Sequence, residues 1–112
     1  MSSVSTHVLD TSRGRPARGV PVTLAVRAGS DAAWVPHGAS ETDADGRCKD
    51  LPDVPEGTTH ARLEFATGRY LAARGGGVFF PEVAAVFAVE PGEHHHVPLL
   101  LNPFGYSVYR GS

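Results

Sequence analysis

The sequence predicts an all-β fold, an antiparallel β-sandwich interrupted by one short helix. Three observations carry this expectation: apolar residues recur with period two in several short runs, turn-forming residues separate those runs, and 112 residues suffice for one core but not for two. In chain order, the first run sets Val4, Thr6 and Val8 against Ser5, His7 and Leu9. The next places Val20, Val22, Leu24 and Val26 on one face, with Pro21, Thr23, Ala25 and Arg27 on the other. Ala61, Leu63 and Phe65 then alternate with Arg62 and Glu64, and Val83, Ala85, Phe87 and Val89 alternate with smaller residues. Turn signals fall at 14–19, 28–31, 43–46, 52–57, 75–77, 91–92 and 102–103. One segment breaks the pattern: Thr67 is the expected cap of a short helix reaching about Arg74, with Gly75 as its terminator. Residues 1–112 are expected to form a single domain.

The last run, 94–102, carries His95, Val97, Leu99 and Leu101 on one face and His94, His96, Pro98 and Leu100 on the other. If the first face is core, the second joins two histidines to a proline and a leucine, a poor composition for a surface open to water. The first run repeats the problem, since His7 shares its face with Leu9. With no further chain to cover such a sheet face, a second subunit is the expected cover.

Composition narrows the partners. A net charge of −2 with scattered lysines and arginines gives no basic footprint, so nucleic acid is not expected. The longest apolar stretches run about eight residues, against the roughly 20 that span a bilayer. No membrane association is expected. The strand pattern begins by Val4, leaving no room for a secretory signal, and the lone Cys48 demands no oxidising compartment, so a cytoplasmic location is expected.

Taken singly, the polar residues support modest readings. A histidine on a half-apolar strand face is more often structural than catalytic, although histidine as a residue type is a frequent acid or base near neutral pH, which makes His7 and His96 the natural acid–base candidates. Arg47, after Asp45-Gly46, reads as a solvated turn residue, and Ser112 as a frayed end. His94 and His96 share a face at a spacing that could grip zinc, but no further ligand is placed by the sequence, so no metal site is expected. Cys48 reads as a packed small residue, and the 75–77 glycines, without a lysine or a strand-to-helix context, read as a turn and not a phosphate loop.

Three separated segments change the weighting. Ser5-Thr6-His7-Val8-Leu9-Asp10-Thr11 with Gly14-Arg15-Pro16-Ala17, then Trp34, Gly38 and TDADGRC over 42–48, then HHHVPLLLNPFGYSVYRGS over 94–112 together resemble the 5-hydroxyisourate hydrolases of the transthyretin-like family. The likeness runs along nearly the whole chain, and the terminal Tyr109-Arg110-Gly111-Ser112 is its most specific part. Small departures are His95 where many relatives have Tyr, Asn102 where many have Ser, and Val108 where many have Thr. The resemblance implies a transthyretin-like antiparallel β-sandwich of seven to eight strands with one short helix. It also implies a homotetramer whose active sites lie at the dimer–dimer interface. It places His7, Arg47, His96 and Ser112 at catalytic positions, with His7, Arg47, His96 and Tyr109 contacting the substrate. The implied reaction is ring opening of 5-hydroxyisourate in urate breakdown, with no metal or organic cofactor. The competing expectations are a transthyretin-like carrier of a small ligand, and an immunoglobulin-like structural domain. The two histidines, Arg47 and the YRGS ending weigh against the carrier, and the missing Cys-Trp-Cys pattern weighs against the immunoglobulin fold.

Overall fold

A computed structural model describes residues 1–112. Nine strands and one helix form two sheets: β1 (Ser3–Asp10), β2 (Arg15–Pro16), β3 (Pro21–Arg27), β4 (Val35–Glu41), β5 (Arg47–Cys48), β6 (His60–Phe65), α1 (Thr67–Ala73), β7 (Val83–Ala88), β8 (His94–Asn102) and β9 (Gly105–Val108). Two of the nine, β2 and β5, are two-residue pieces, which leaves seven full strands, within the seven to eight that the resemblance implies. One sheet runs β4-β3-β6-β7 and the other β2-β1-β8-β9, with β5 paired to β1.

The apolar faces read from the sequence meet between the sheets. Val4 and Val8 of β1, Val22, Leu24 and Val26 of β3, Ala61, Leu63 and Phe65 of β6, and Val97, Leu99 and Leu101 of β8 all belong to one buried cluster. Burying a side chain of this size contributes about 1.5–3 kcal/mol, so a one-residue slip in any of these strands, which turns the whole set outward, is strongly disfavoured. Cys48 packs in the same cluster, where burial pushes its thiol up.

Two local expectations are corrected. All strand pairings are antiparallel except one: β1 lies parallel to β8, with Ser5 beside His96 and His7 beside Pro98. Alternation reports which side chains share a face and carries no information on strand direction, so this pairing is invisible to it. Thr67 does not cap α1. Ala66 stands at the cap without a side-chain bond, while the buried Thr67 hydroxyl donates to the Phe80 carbonyl and ties the helix to the loop before β7. Gly75, at φ 75°, follows the helix end as expected. No helix is long and apolar enough to cross a membrane.

The parallel ladder decides what the outer face of the β1–β8 sheet displays. From one end to the other its outward rows are Ser3 beside His94, Ser5 beside His96, His7 beside Pro98, and Leu9 beside Leu100. One half of the face is polar and titratable. The other half is apolar.

Candidate active site

Arg47 reaches this face through a tight turn. The Asp43 carboxylate accepts the backbone N–H groups of Asp45 and Arg47, both at 2.9 Å, and those bonds, with that of Arg47 first, hold its pKa below the ordinary carboxylate value. Gly46 has φ 76° and packs against the Val8 carbonyl, where a side chain would collide. The chain then enters β5, and Arg47 pairs across the ladder with His7. Directly paired residues on neighbouring strands project to the same side, so the guanidinium and the His7 imidazole belong to one face.

His96 comes to the same face from β8, and the end of the chain folds back onto it. The Gly111 N–H donates to the His96 carbonyl at 2.8 Å, and the two residues form an isolated bridge. A Cβ at position 111 would lie 2.6 Å from Cδ2 of His96 and 3.1 Å from Cγ of Pro98. Only glycine permits this close approach. It sets Ser112 at an open depression of about 510 Å³ whose lining includes Arg47, His94, His96 and Ser112.

Electrostatics single out His96. Its pKa is lowered, first by partial burial, then by the positive charge of Arg47 and by the neighbouring His7 and His94. Both a low-dielectric setting and a nearby cation disfavour the imidazolium, so the neutral ring prevails around pH 7. A neutral imidazole beside a guanidinium can accept a proton from water while the arginine receives developing negative charge.

The expected residues do not all fall in one hollow. Arg47, His96 and Ser112 line the same depression. His7 is half-buried beside them, paired with Arg47 and close enough to perturb His96, but it is not part of that lining. Tyr109, which is 50% exposed, lines a neighbouring apolar hollow with Val86, Phe87 and Arg110, and only His96 borders both. His95 faces the core, where Glu90 N–H donates to its Nε2 and its Nδ1 lies 3.2 Å from the Ser3 carbonyl.

Residues that sequence reasoning passed over also line the depression, notably Ser3, Ser5 and Lys49. Alternation puts Ser5 on the His7 face, but a serine on a strand gives no signal of its own. His94 and His96 share the face, as their spacing requires, and the Ser5 hydroxyl lies 2.8 Å from a ring nitrogen of each. No three histidine, cysteine or acidic side chains converge into a metal-binding set.

A model of the HIUase/transthyretin family matches residues 4–111. The chain is 42% identical over 117 residues to the 5-hydroxyisourate hydrolase of Caulobacter vibrioides, which covers all of both chains. The 5-hydroxyisourate hydrolase structure from Klebsiella pneumoniae has a TM-score of 0.81 and 35% identity, again covering all of both chains. Sea bream transthyretin in complex with thyroxine has a TM-score of 0.86 and 28% identity, covering 96% of this chain and 93% of that one. The backbone is therefore shared with a hydrolase and with a thyroxine-binding protein. Fold alone does not choose between them.

Proposed function

The chain belongs to the HIUase/transthyretin family, and we propose that it acts there as a hydrolase, opening the six-membered ring of 5-hydroxyisourate at a ring amide. The observation that carries this reading is the meeting of Arg47, His96 and Ser112 at one depression, with His7 paired to Arg47 beside it. These groups come from β1, β5, β8 and the end of the chain, and together they supply what amide hydrolysis requires.

Water is a poor nucleophile at neutral pH, so a base must take its proton as the oxygen attacks the ring carbonyl. His96, kept neutral by burial and by Arg47, is the base. Negative charge grows on the carbonyl oxygen. Arg47, a planar donor that stays cationic, orients the flat heterocycle and receives that charge. As the tetrahedral carbon collapses, the ring C–N bond breaks and the departing nitrogen takes up a proton. The product is an imidazoline bearing carboxylate and ureido groups. His7 holds the water or substrate from the opposite strand, Ser112 donates a hydrogen bond, and Tyr109 contacts the substrate from the adjoining hollow. An activated ring amide makes this chemistry feasible with acid–base groups alone.

Residues 1–112 work as one domain, in a cytoplasmic homotetramer. Support for assembly comes from the surface. Leu9 and Leu100 lie side by side on the same face as the site, and the edge strands β7 and β9 leave Val86 and Tyr106 56% and 42% exposed.

An ultraviolet assay on freshly generated 5-hydroxyisourate, with spontaneous decay subtracted, tests the activity. His96→Asn keeps much of the shape and removes the titrating group, so turnover should fall by roughly 10²- to 10⁴-fold. His7→Asn and Arg47→Lys should also lose turnover, and EDTA should leave the parent rate intact. Tight binding of a small aromatic ligand without turnover would favour the carrier. Near-normal turnover in both histidine variants, with folding intact, would refute the assignment of the site.

A further inference from the structure

The polar half of the β1–β8 face holds a run of hydrogen bonds that the proposed reaction leaves unassigned. Ser3 Oγ lies 2.6 Å from His94 Nδ1, His94 Nε2 lies 2.8 Å from Ser5 Oγ, and Ser5 Oγ lies 2.8 Å from His96 Nδ1. All four residues line the depression that holds Arg47 and Ser112. The parallel register builds this run, because it sets Ser3 opposite His94 and Ser5 opposite His96 on strands less than 5 Å apart. No group of the chain bonds Nε2 of His96, and it is not among the buried atoms lacking a partner, so it stays accessible.

A serine hydroxyl has a single proton to donate. Ser5 therefore donates to one imidazole and accepts from the other, which couples the tautomers of the two rings. When Ser5 donates to His94 Nε2, it accepts Nδ1–H of His96, and the accessible Nε2 of His96 is bare. That is the tautomer a general base requires.

We propose that Ser5 and His94 are positioning residues for His96: they hold its proton on Nδ1 and store the proton it removes from water. This rests on the hydrolase reading above. In the first step a water O–H bond breaks as its oxygen bonds to the ring carbonyl carbon, and the proton joins His96 Nε2. The Nδ1 proton passes to Ser5 Oγ while the Ser5 proton passes to His94 Nε2, so His96 stays neutral and His94 becomes the imidazolium. In the second step the ring C–N bond breaks, its electron pair takes the Nε2 proton of His96, and the two relay transfers run backward. The water proton thus ends on the departing nitrogen and every group returns to its starting state.

Electrostatics favour this direction of storage. His96 is half-buried and faces His7 and Arg47, whereas His94 is exposed, so water solvates the transient charge better on His94. Lys49 and Asp53 are the other charged side chains in the lining, one of each sign.

Two measurements test the relay. In the resting parent protein, ¹⁵N shifts of the histidine rings should show neutral His96 with its proton on Nδ1; the proton on Nε2 would overturn the proposal without any variant. Ser5→Ala should lower kcat by roughly 10- to 100-fold, the usual loss when the outer hydrogen-bond partner of a metal-bound histidine is removed. KM should change little, the His96 tautomer should shift toward Nε2–H, and Ser5→Thr, which restores a hydroxyl, should recover most of the rate. Unchanged kcat and an unchanged tautomer in folded Ser5→Ala would overturn the relay. If His96→Asn is then inactive, the assignment of the site survives and only the relay fails. If His96→Asn is itself fully active, the hydrolase site is wrong and the relay falls with it.

Discussion

His96 and Asp10 show how residues of one β-ladder acquire different roles from their faces. Asp10 closes β1 on the core side. Burial would raise its pKa, but hydrogen bonds from the Ser12 and Tyr70 hydroxyls, with the backbone of Arg13 and Ser12, outweigh it and hold the carboxylate ionised. Every lone pair it uses is satisfied within the chain, so it is structural. His96, on the opposite face, has its pKa lowered by burial and by Arg47 and keeps one ring nitrogen accessible. The sign of this shift gives a pH prediction. The base form of His96 is lost only when pH falls through a pKa below the ordinary histidine value, so the acid limb of kcat/KM should lie lower than for a free imidazole. Arg47→Gln removes one cause of the shift and should move the limb upward. Burial, the larger cause, remains, so the limb should still stay below the free value. A limb that does not move in Arg47→Gln would argue against electrostatic contact between the two.

Elements place these residues more than residue chemistry does. The 43–47 turn needs Asp43 to collect backbone N–H groups and Gly46 to take a positive φ, and only that combination delivers Arg47 opposite His7. The returning end of the chain is held by Gly111, whose missing side chain leaves room for the His96 ring and Pro98. Gly111→Ala must displace the ring or the terminal segment. Fold stability should change little, since position 111 lies outside the core, while turnover should drop by roughly 10²-fold, the usual cost of moving a reacting group by about 1 Å. A parent-like rate in Gly111→Ala would show that this contact does not set the geometry of His96. Periodicity made β1, β3, β6, β7 and β8 legible: β1 and β6 bury alternate residues, β7 exposes alternate residues, and β3 and β8 keep the alternation except that Ala25 and Pro98 are buried as well. β4 carries no such alternation, being an edge strand without a fully buried side chain, and the four-residue β9 is too short to show one.

At the scale of the whole molecule, the sandwich has one open face that is half chemistry and half apolar surface. Leu9 and Leu100 adjoin the row of His7 and Pro98 and lie three rows from His94, so a subunit covering the leucines would close the His7 end of this face against water and leave the His94 end open. Light scattering should therefore report about four chains. Replacing both leucines by Ser should loosen assembly and lower turnover together, with monomer secondary structure retained. A fully active monomer would separate the site from the interface and sink this architecture.

The sequence by itself determined which side chains face the core and which face outward, because strand alternation has a fixed period and apolar burial enforces it. Together with the family resemblance, it also nominated His7, Arg47, His96, Tyr109 and Ser112. Only the tertiary structure decided their company. The parallel register of β1 on β8 sets Ser5 between His94 and His96, the 43–47 turn sets Arg47 against His7, and the Gly111 contact brings Ser112 to the depression while Tyr109 goes to the next hollow. These juxtapositions join residues as many as 91 positions apart. Local periodicity carries no information about which strands pair or in which direction they run, because that is settled by how two whole sheets close over one core.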